Sequence, residues 1–264
     1  MQNKNMSDLI NWFNSPGVSD LGENALVLLD LVKTKKNSRF MDIGVRGGVS
    51  SAILSYQNKE NNNTVCGCDI NFDLFFSGGR KYVNDSYTCY LYDSVTLGKN
   101  WDEDPFDIIF VDTIHTREQV LAELYFWSNH IKENGYFVFH DSHWEVPGYT
   151  TPGFTDGEYI HHERVDVAIT DFFGLPKSVR EMTYYEDDNI ILEHHTSSLG
   201  MTFVQVKTLD SIGKFKKNVD WNKVFEIRNL LIDRILNEKN PKCTSKDWGL
   251  EYGKIKHEPI INFN

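Results

Sequence analysis

The run Asp42-Ile43-Gly44-Val45-Arg46-Gly47-Gly48-Val49-Ser50-Ser51 places an acid, three glycines and two serines where an apolar segment gives way to a helical one. Glycines at such a junction let the backbone approach a bound group closely, so a nucleotide or a carboxylate could sit there. A tight strand-to-helix turn explains the same residues when they are taken alone. The dinucleotide fingerprint Gly-x-Gly-x-x-Gly is absent, because Arg46 stands where its second glycine belongs. Downstream, Asp69 with Ile70 closes the next apolar run, where a carboxylate can accept both hydroxyl protons of a ribose. Asp93-Ser94 closes a third and is suitably placed to contact an adenine amino group, although surface Asp-Ser pairs are common. Two further apolar runs end in acids, Asp112 and Asp141, with His115, His140 and His143 close by in sequence.

These residues need elements to carry them. Residues 19–36 hold Leu21, Ala25, Leu28, Leu29 and Val32 at helical spacing behind a candidate cap, Ser19. The expected order continues as strand 39–44, glycine turn 44–48, helix 49–57, strand 64–70, a less regular helix over 72–83, and strand 86–92. Residues 106–112 form a continuous apolar run, the mark of a central strand buried on both faces whose C-terminal end opens into a site. Thr116 with Gln119 offers a capping box for a helix whose face is Val120, Leu124, Trp127 and Ile131, ended by Gly135 before strand 136–140. A helix over 165–173, a hairpin of 189–194 with 201–206, and an amphipathic helix over 221–239 complete the pattern.

Alternation of strands and helices argues for an α/β, Rossmann-like, doubly wound sheet, mostly parallel and seven-stranded, with an antiparallel C-terminal hairpin. The expected layout is an N-terminal appendage over 1–18, a main domain over 19–207 and a C-terminal helix and tail over 208–264. Within the domain, 142–164 reads as a lid-like loop carrying Trp144, Tyr149 and Phe154, which pack on their own domain or on a ring. His161-His162 and His194-His195 are expected at exposed loop or edge positions.

Composition narrows the function classes. With 264 residues, 40% of them hydrophobic, the chain can bury a large core. A net charge of -11 repels phosphate backbones, and the short basic stretch 214–217 reads as a solvated turn, so no nucleic-acid partner is expected. No apolar run approaches the roughly 20 residues of a membrane span, and residues 1–16 lack a signal-peptide apolar region, so a cytoplasmic protein without a membrane partner is expected. Cys66, Cys68, Cys89 and Cys243 lack zinc-type spacing and read as small residues in a reducing compartment. A homo-oligomer is compatible with all of this.

The acid-x-Gly-x-x-x-Gly spacing of Asp42, Gly44 and Gly48 resembles motif I of class I S-adenosylmethionine-dependent methyltransferases. Within that superfamily, residues 106–115 are similar to the Asp-x-x-His segment of metal-dependent sugar and macrolide O-methyltransferases and of the cephalosporin hydroxylase and rhamnosyl O-methyltransferase group. Residues 135–141 match the same group's glycine, strand and acid. The resemblance spans roughly residues 19–206. It implies S-adenosylmethionine as cofactor, bound through Asp42, Gly44, Gly47, Gly48, Ser50, Ser51, Asp69, Ile70, Asp93, Ser94 and Asp112. It also implies a divalent cation, Mg2+ or Mn2+, on Asp112 and Asp141, with His140 counted as a ligand. Related enzymes often carry a second acid beside the last one, where this chain has His140 and Ser142.

Carboxylates at the ends of adjacent parallel strands converge, and a hard cation relieves their repulsion. Methyl transfer to a small hydroxylated substrate then needs a base, for which His143 in the loop after the metal acid is favoured and His115 is second. A histidine simply hydrogen-bonded to Asp112 accounts for His115 equally well. Two other activities fit the same architecture: an NAD-dependent oxidoreductase or epimerase, and a non-catalytic module that keeps a cofactor pocket.

Overall fold

The computed structural model describes residues 6–84, 87–143, 154–155, 160–161 and 164–239. Trp144, Tyr149, His162, Cys243, most of the expected lid and the tail over 240–264 lie outside the described residues; Phe154 and His161 are described by backbone alone. Five strands come first: β1 (Arg39–Ile43), β2 (Thr64–Asp69), β3 (Tyr87–Leu91), β4 (Phe106–Val111) and β5 (Ile131–His140). A two-residue pair, β6 (Phe154–Thr155) and β7 (Ile160–His161), forms a separate ribbon. The main sheet is finished by β8 (Tyr184–Glu186), β9 (Ile190–His195) and β10 (Met201–Val206).

Its order is β3-β2-β1-β4-β5-β10-β9-β8, parallel from β3 to β5 and antiparallel beyond. Eight strands stand where seven were expected. The added one, β8, is short, polar and half exposed, and so leaves little pattern to read. The chain leaves β1 in one direction for β2 and β3, then crosses back to β4 and β5. That reversal puts a crevice at the C-terminal ends of β1 and β4.

Among the described residues ten α-helices accompany the strands: α1 (Met6–Phe13), α2 (Asn24–Lys33), α3 (Val49–Leu54), α4 (Asn58–Asn61), α5 (Asp73–Ser77), α6 (Ser94–Asn100), α7 (Arg117–Trp127), α8 (Val165–Phe173), α9 (Ile212–Phe215) and α10 (Trp221–Lys239). Strand alternation sorts the core into two layers. Met41, Ile43, Ile109 and Val111 face α6, α7, α8 and α10, while Phe40, Ile108, Phe110 and Val138 face α1, α2 and α3. Trp127 is fully buried, and its ring closes on Gly98, where a Cβ would lie 2.7 Å from the indole nitrogen. Its Nε1 donates to the Ser94 carbonyl at 2.9 Å, so this fully buried indole has its single polar atom satisfied.

Several expected boundaries move for identifiable reasons. Ser19 accepts from the Leu21 N–H and does not cap α2, which starts at Asn24. The helix expected over 49–57 breaks into α3 and α4 around Gln57, whose φ is +54°. The helix expected over 72–83 is α5 followed by a 3-10 turn, because Gly78 and Gly79 interrupt it. Ile131 fits the helical period of α7 yet begins β5, pairing with Phe106 before an irregularity that precedes the Tyr136–Ile108 pair. Thr116 caps α7 as expected, accepting from the Gln119 N–H. Residues 1–18, expected as an appendage, supply α1, whose Leu9 and Phe13 are buried. His194 is buried, contrary to its expected edge position: β8 covers β9, and the His194 Nδ1 meets Thr202 Oγ1 at 2.8 Å.

Candidate active site at the β1–β4 crevice

The crevice begins with a fit that only glycine allows. Gly44 leaves β1 with φ +89°, and a Cβ there would sit 1.9 Å from the Asp112 carbonyl oxygen on β4's end. The Asp112 N–H donates to Ile43 and the Gly44 N–H to Cys68, locking three strand ends together. Gly48, with φ +82°, caps α3 against Phe75. Behind the turn, Asp42 is fully buried and accepts from Ser50 at 3.0 Å and from Ser51, which also contacts the Tyr87 hydroxyl at 2.7 Å. Burial pushes the Asp42 carboxyl up to about 7, against the pull of the two serines. Asp42 and Ser51 therefore brace the turn from beneath.

Two cavities open on the turn. The larger, of about 710 Å3, is lined by Gly44, Asp69, Ile70, Asp93, Ser94 and Asp112 among others. The smaller, of about 440 Å3, lies between the turn (Gly44, Gly47, Ser50) and the segment from Trp12 to Leu21. Gly44, Arg46, Leu74 and Asp112 line both. In the larger cavity Asp69 accepts from the Arg46 N–H at 2.8 Å and the Asn71 N–H at 2.9 Å; burial still raises its carboxyl above the ordinary value. These features suit S-adenosylmethionine: a backbone cradle at Gly44, a carboxylate at Asp69 for a ribose, and room for the whole molecule.

Asp93 departs from the expected adenine contact. One oxygen accepts from the N–H and hydroxyl of Thr96, and the other pairs with Arg228 of α10, both residues being buried. The Arg228 Nε donates to Gln119 at 3.0 Å, and Gln119 in turn donates to Ser94 and to Glu123. The Asp93 side chain is thereby engaged in fixing the cavity wall.

Glu123 Oε1 accepts from Ser94, Gln119 and Thr113 at 2.6–2.8 Å. Burial outweighs these bonds and lifts its carboxyl from 4.5 to about 7, with the Asp93 charge adding to the rise. A carboxyl raised by folding binds its proton more tightly in the native state, so its contribution to stability is full below pH 4.5 and lost as pH climbs through 7. Over that window Glu123 should contribute a decline of up to about 1.4 kcal/mol per pH unit. Urea unfolding at pH 5, 6, 7 and 8 should show a shallower decline in Glu123→Gln; an unchanged slope rules the account out.

At the far wall, the ends of β4 and β5 bring four expected residues together. His115 Nε2 lies 3.1 Å from Asp112 Oδ1 and 2.7 Å from Asp141 Oδ2. His140 Nδ1 lies 3.5 Å and 3.2 Å from the same two oxygens. Burial alone would lower His140, but the bonds and charges of Asp112 and Asp141 raise it to about 10. For both acids burial acts upward, yet the two histidines outweigh it and hold the carboxyls below their ordinary range. Asp141 sits in the left-handed region at φ +52°, a strained conformation of the kind that collects at functional sites.

Ligand atoms of Asp112, His115 and Asp141 fall within 4.8 Å of one another, and Asp141 Oδ1 is buried with no hydrogen-bond partner among the described residues. That donor set fits a divalent cation. The third member is His115, where sequence had counted His140. His143, favoured as base, lies apart: its N–H donates to Leu199 at 3.0 Å, its ring stands edge-on to His194 at 6.3 Å, and it lines neither cavity. Adjacency in sequence misled here, because the chain turns at Asp141 and carries His143 toward the β9–β10 connection.

Known proteins share features of this fold. A family of sequences described as a methyltransferase domain matches residues 41–142. No curated protein sequence matches the chain. Among solved structures, an O-methyltransferase from Bacillus cereus in complex with SAH is similar, with a TM-score of 0.51 at 16% identity over 77% of this chain and 92% of that one. The O-methyltransferase TomG from Streptomyces achromogenes, involved in tomaymycin synthesis and bound to SAM, gives 0.50 at 16% identity over 79% and 93%. Among the described residues no helix is long and apolar enough to cross a membrane. Residues 41–142 are thus similar to a methyltransferase domain, and the chain carries them on a Rossmann-like α/β fold.

Proposed function

We propose that the chain is an S-adenosylmethionine-dependent O-methyltransferase that, with Mg2+ or Mn2+, methylates a hydroxyl of a sugar, glycoside or other small natural product. One observation carries the reading: Asp112 forms part of the wall of both cavities, so a donor in the larger and an acceptor in the smaller would meet at one carboxylate. In-line attack requires such a junction, since the acceptor oxygen must approach the methyl carbon opposite the departing sulfur.

In the proposed reaction the oxygen–methyl bond forms as the carbon–sulfur bond breaks, the sulfonium pair returning to sulfur to leave S-adenosylhomocysteine. Asp69 orients the ribose, and the Gly44 cradle admits the methionine portion. Asp112 and Asp141 are the hard oxygen donors for the cation, which when bound lowers the pKa of the acceptor hydroxyl. His115, whose Nε2 donates to the two carboxylates in this structure, would be the base for the hydroxyl proton once those carboxylates turned to the cation and freed that nitrogen.

Calorimetry with S-adenosylhomocysteine tests the cofactor; no binding at millimolar concentration defeats the reading. For the base, His115→Gln should lower kcat about 100- to 10,000-fold at neutral pH, with partial recovery at high pH and unchanged affinity for S-adenosylhomocysteine. If its main effect is on Mg2+ affinity, His115 is a ligand and the proton goes elsewhere.

A further inference from the structure

Arg46 was singled out in the sequence for breaking a glycine fingerprint, and the reaction above gives it nothing to do. It lies where the two cavities meet and lines both. Among the described lining residues it is the only cation, facing the carboxylates of Asp20, Asp69, Asp73 and Asp112. Its backbone is left-handed, at φ +45°, and is fixed there by the N–H bond to Asp69. A non-glycine residue in that region is uncommon and points to a role for the side chain. Among the described residues the guanidinium is committed only to Asp20, Nη1 to Oδ2 at 2.9 Å, with Arg46 74% and Asp20 43% exposed. Exposed pairs of this kind contribute little and are readily exchanged for a better partner.

Among the described side chains lining the two cavities, Arg46 alone can pair with an anionic group that enters this acidic crevice. Resting on the assignment of the larger cavity to S-adenosylmethionine, we infer that Arg46 is the residue that binds the cofactor's α-carboxylate, exchanging Asp20 for it on binding. A planar guanidinium meets a carboxylate through two parallel N–H bonds, which Asp20 does not supply in this geometry. The exchange also frees Asp20, which sits on the wall of the smaller cavity, so donor binding reshapes the charge of the acceptor side.

The test compares S-adenosylhomocysteine with its decarboxylated analogue, which keeps adenosine, sulfur and amine but lacks the anion, by calorimetry on the full chain. The native protein should prefer S-adenosylhomocysteine at least tenfold. Arg46→Gln should bind it about 10- to 100-fold more weakly while binding the decarboxylated analogue as before, and Arg46→Lys should fall between. Matching thermal unfolding of the variants shows that the turn is intact. Equal weakening of both ligands in Arg46→Gln, a preference that survives the substitution, or no preference in the native protein overturns the inference. Binding of neither ligand by the native protein overturns the cofactor assignment itself and the inference with it.

Discussion

Methyl transfer by Asp141→Asn is expected to fall roughly a thousandfold, equivalent to about 4 kcal/mol of transition-state stabilisation. Asparagine is the informative replacement because it keeps the shape of the side chain and is among the residues that best tolerate the left-handed backbone at this position. What it removes is the charge that, with Asp112, makes the end of the sheet a site for a hard cation. Affinity for S-adenosylhomocysteine should change little, since Asp141 is not among the residues that line the larger cavity. Kinetics in the presence of Mg2+ or Mn2+, with calorimetry beside them, separate the two effects. Equal loss of binding and turnover would show that Asp141 holds the cavity together and has no separate part in the chemistry.

The largest effect on stability is expected at Arg228. Its side chain is 3% exposed and pairs with Asp93, itself 4% exposed, so removing the guanidinium strands a carboxylate inside the protein. Breaking a buried pair from one side costs about 3–5 kcal/mol, whereas replacing both partners with uncharged groups of similar volume is close to neutral. Arg228→Ala should therefore lose a large share of the roughly 5–15 kcal/mol that stabilises an ordinary domain, and Asp93→Asn combined with Arg228→Met should recover most of that loss. Urea unfolding of the single and double variants measures the difference. A double variant as unstable as the single would show that Arg228 acts through packing and not through its charge.

Much of this architecture could be read from the chain because local signals and tertiary demands agree. The helix over 165–173 and the one over 221–239 appear where periodicity puts them, and β4 declares itself by an unbroken apolar run. Asp42, Gly44, Asp69 and Asp112 announce strand ends, and the sheet order then brings Gly44, Asp69 and Asp112 to one crevice. Other parts had no local signature. Ile131 satisfies a helix and a strand equally, so only its pairing with Phe106 decides. The Asp93–Arg228 pair joins residues 135 apart, and nothing near either one names the other. The choice between His115 and His143 depended on which way the chain turns after β5, a matter of one residue's φ.

The position of α10 has a consequence for how the protein comes into being. Ile232 supplies part of the larger cavity's lining and Arg228 neutralises Asp93 at its wall, yet both are encoded after every strand of the sheet. A nascent chain that has emerged as far as residue 206 has all its strands but an unfinished pocket with an uncompensated acid in it. Synthesis must run past Ile232 before the proposed cofactor site has its complete lining, so the order of translation sets when that site can first be filled.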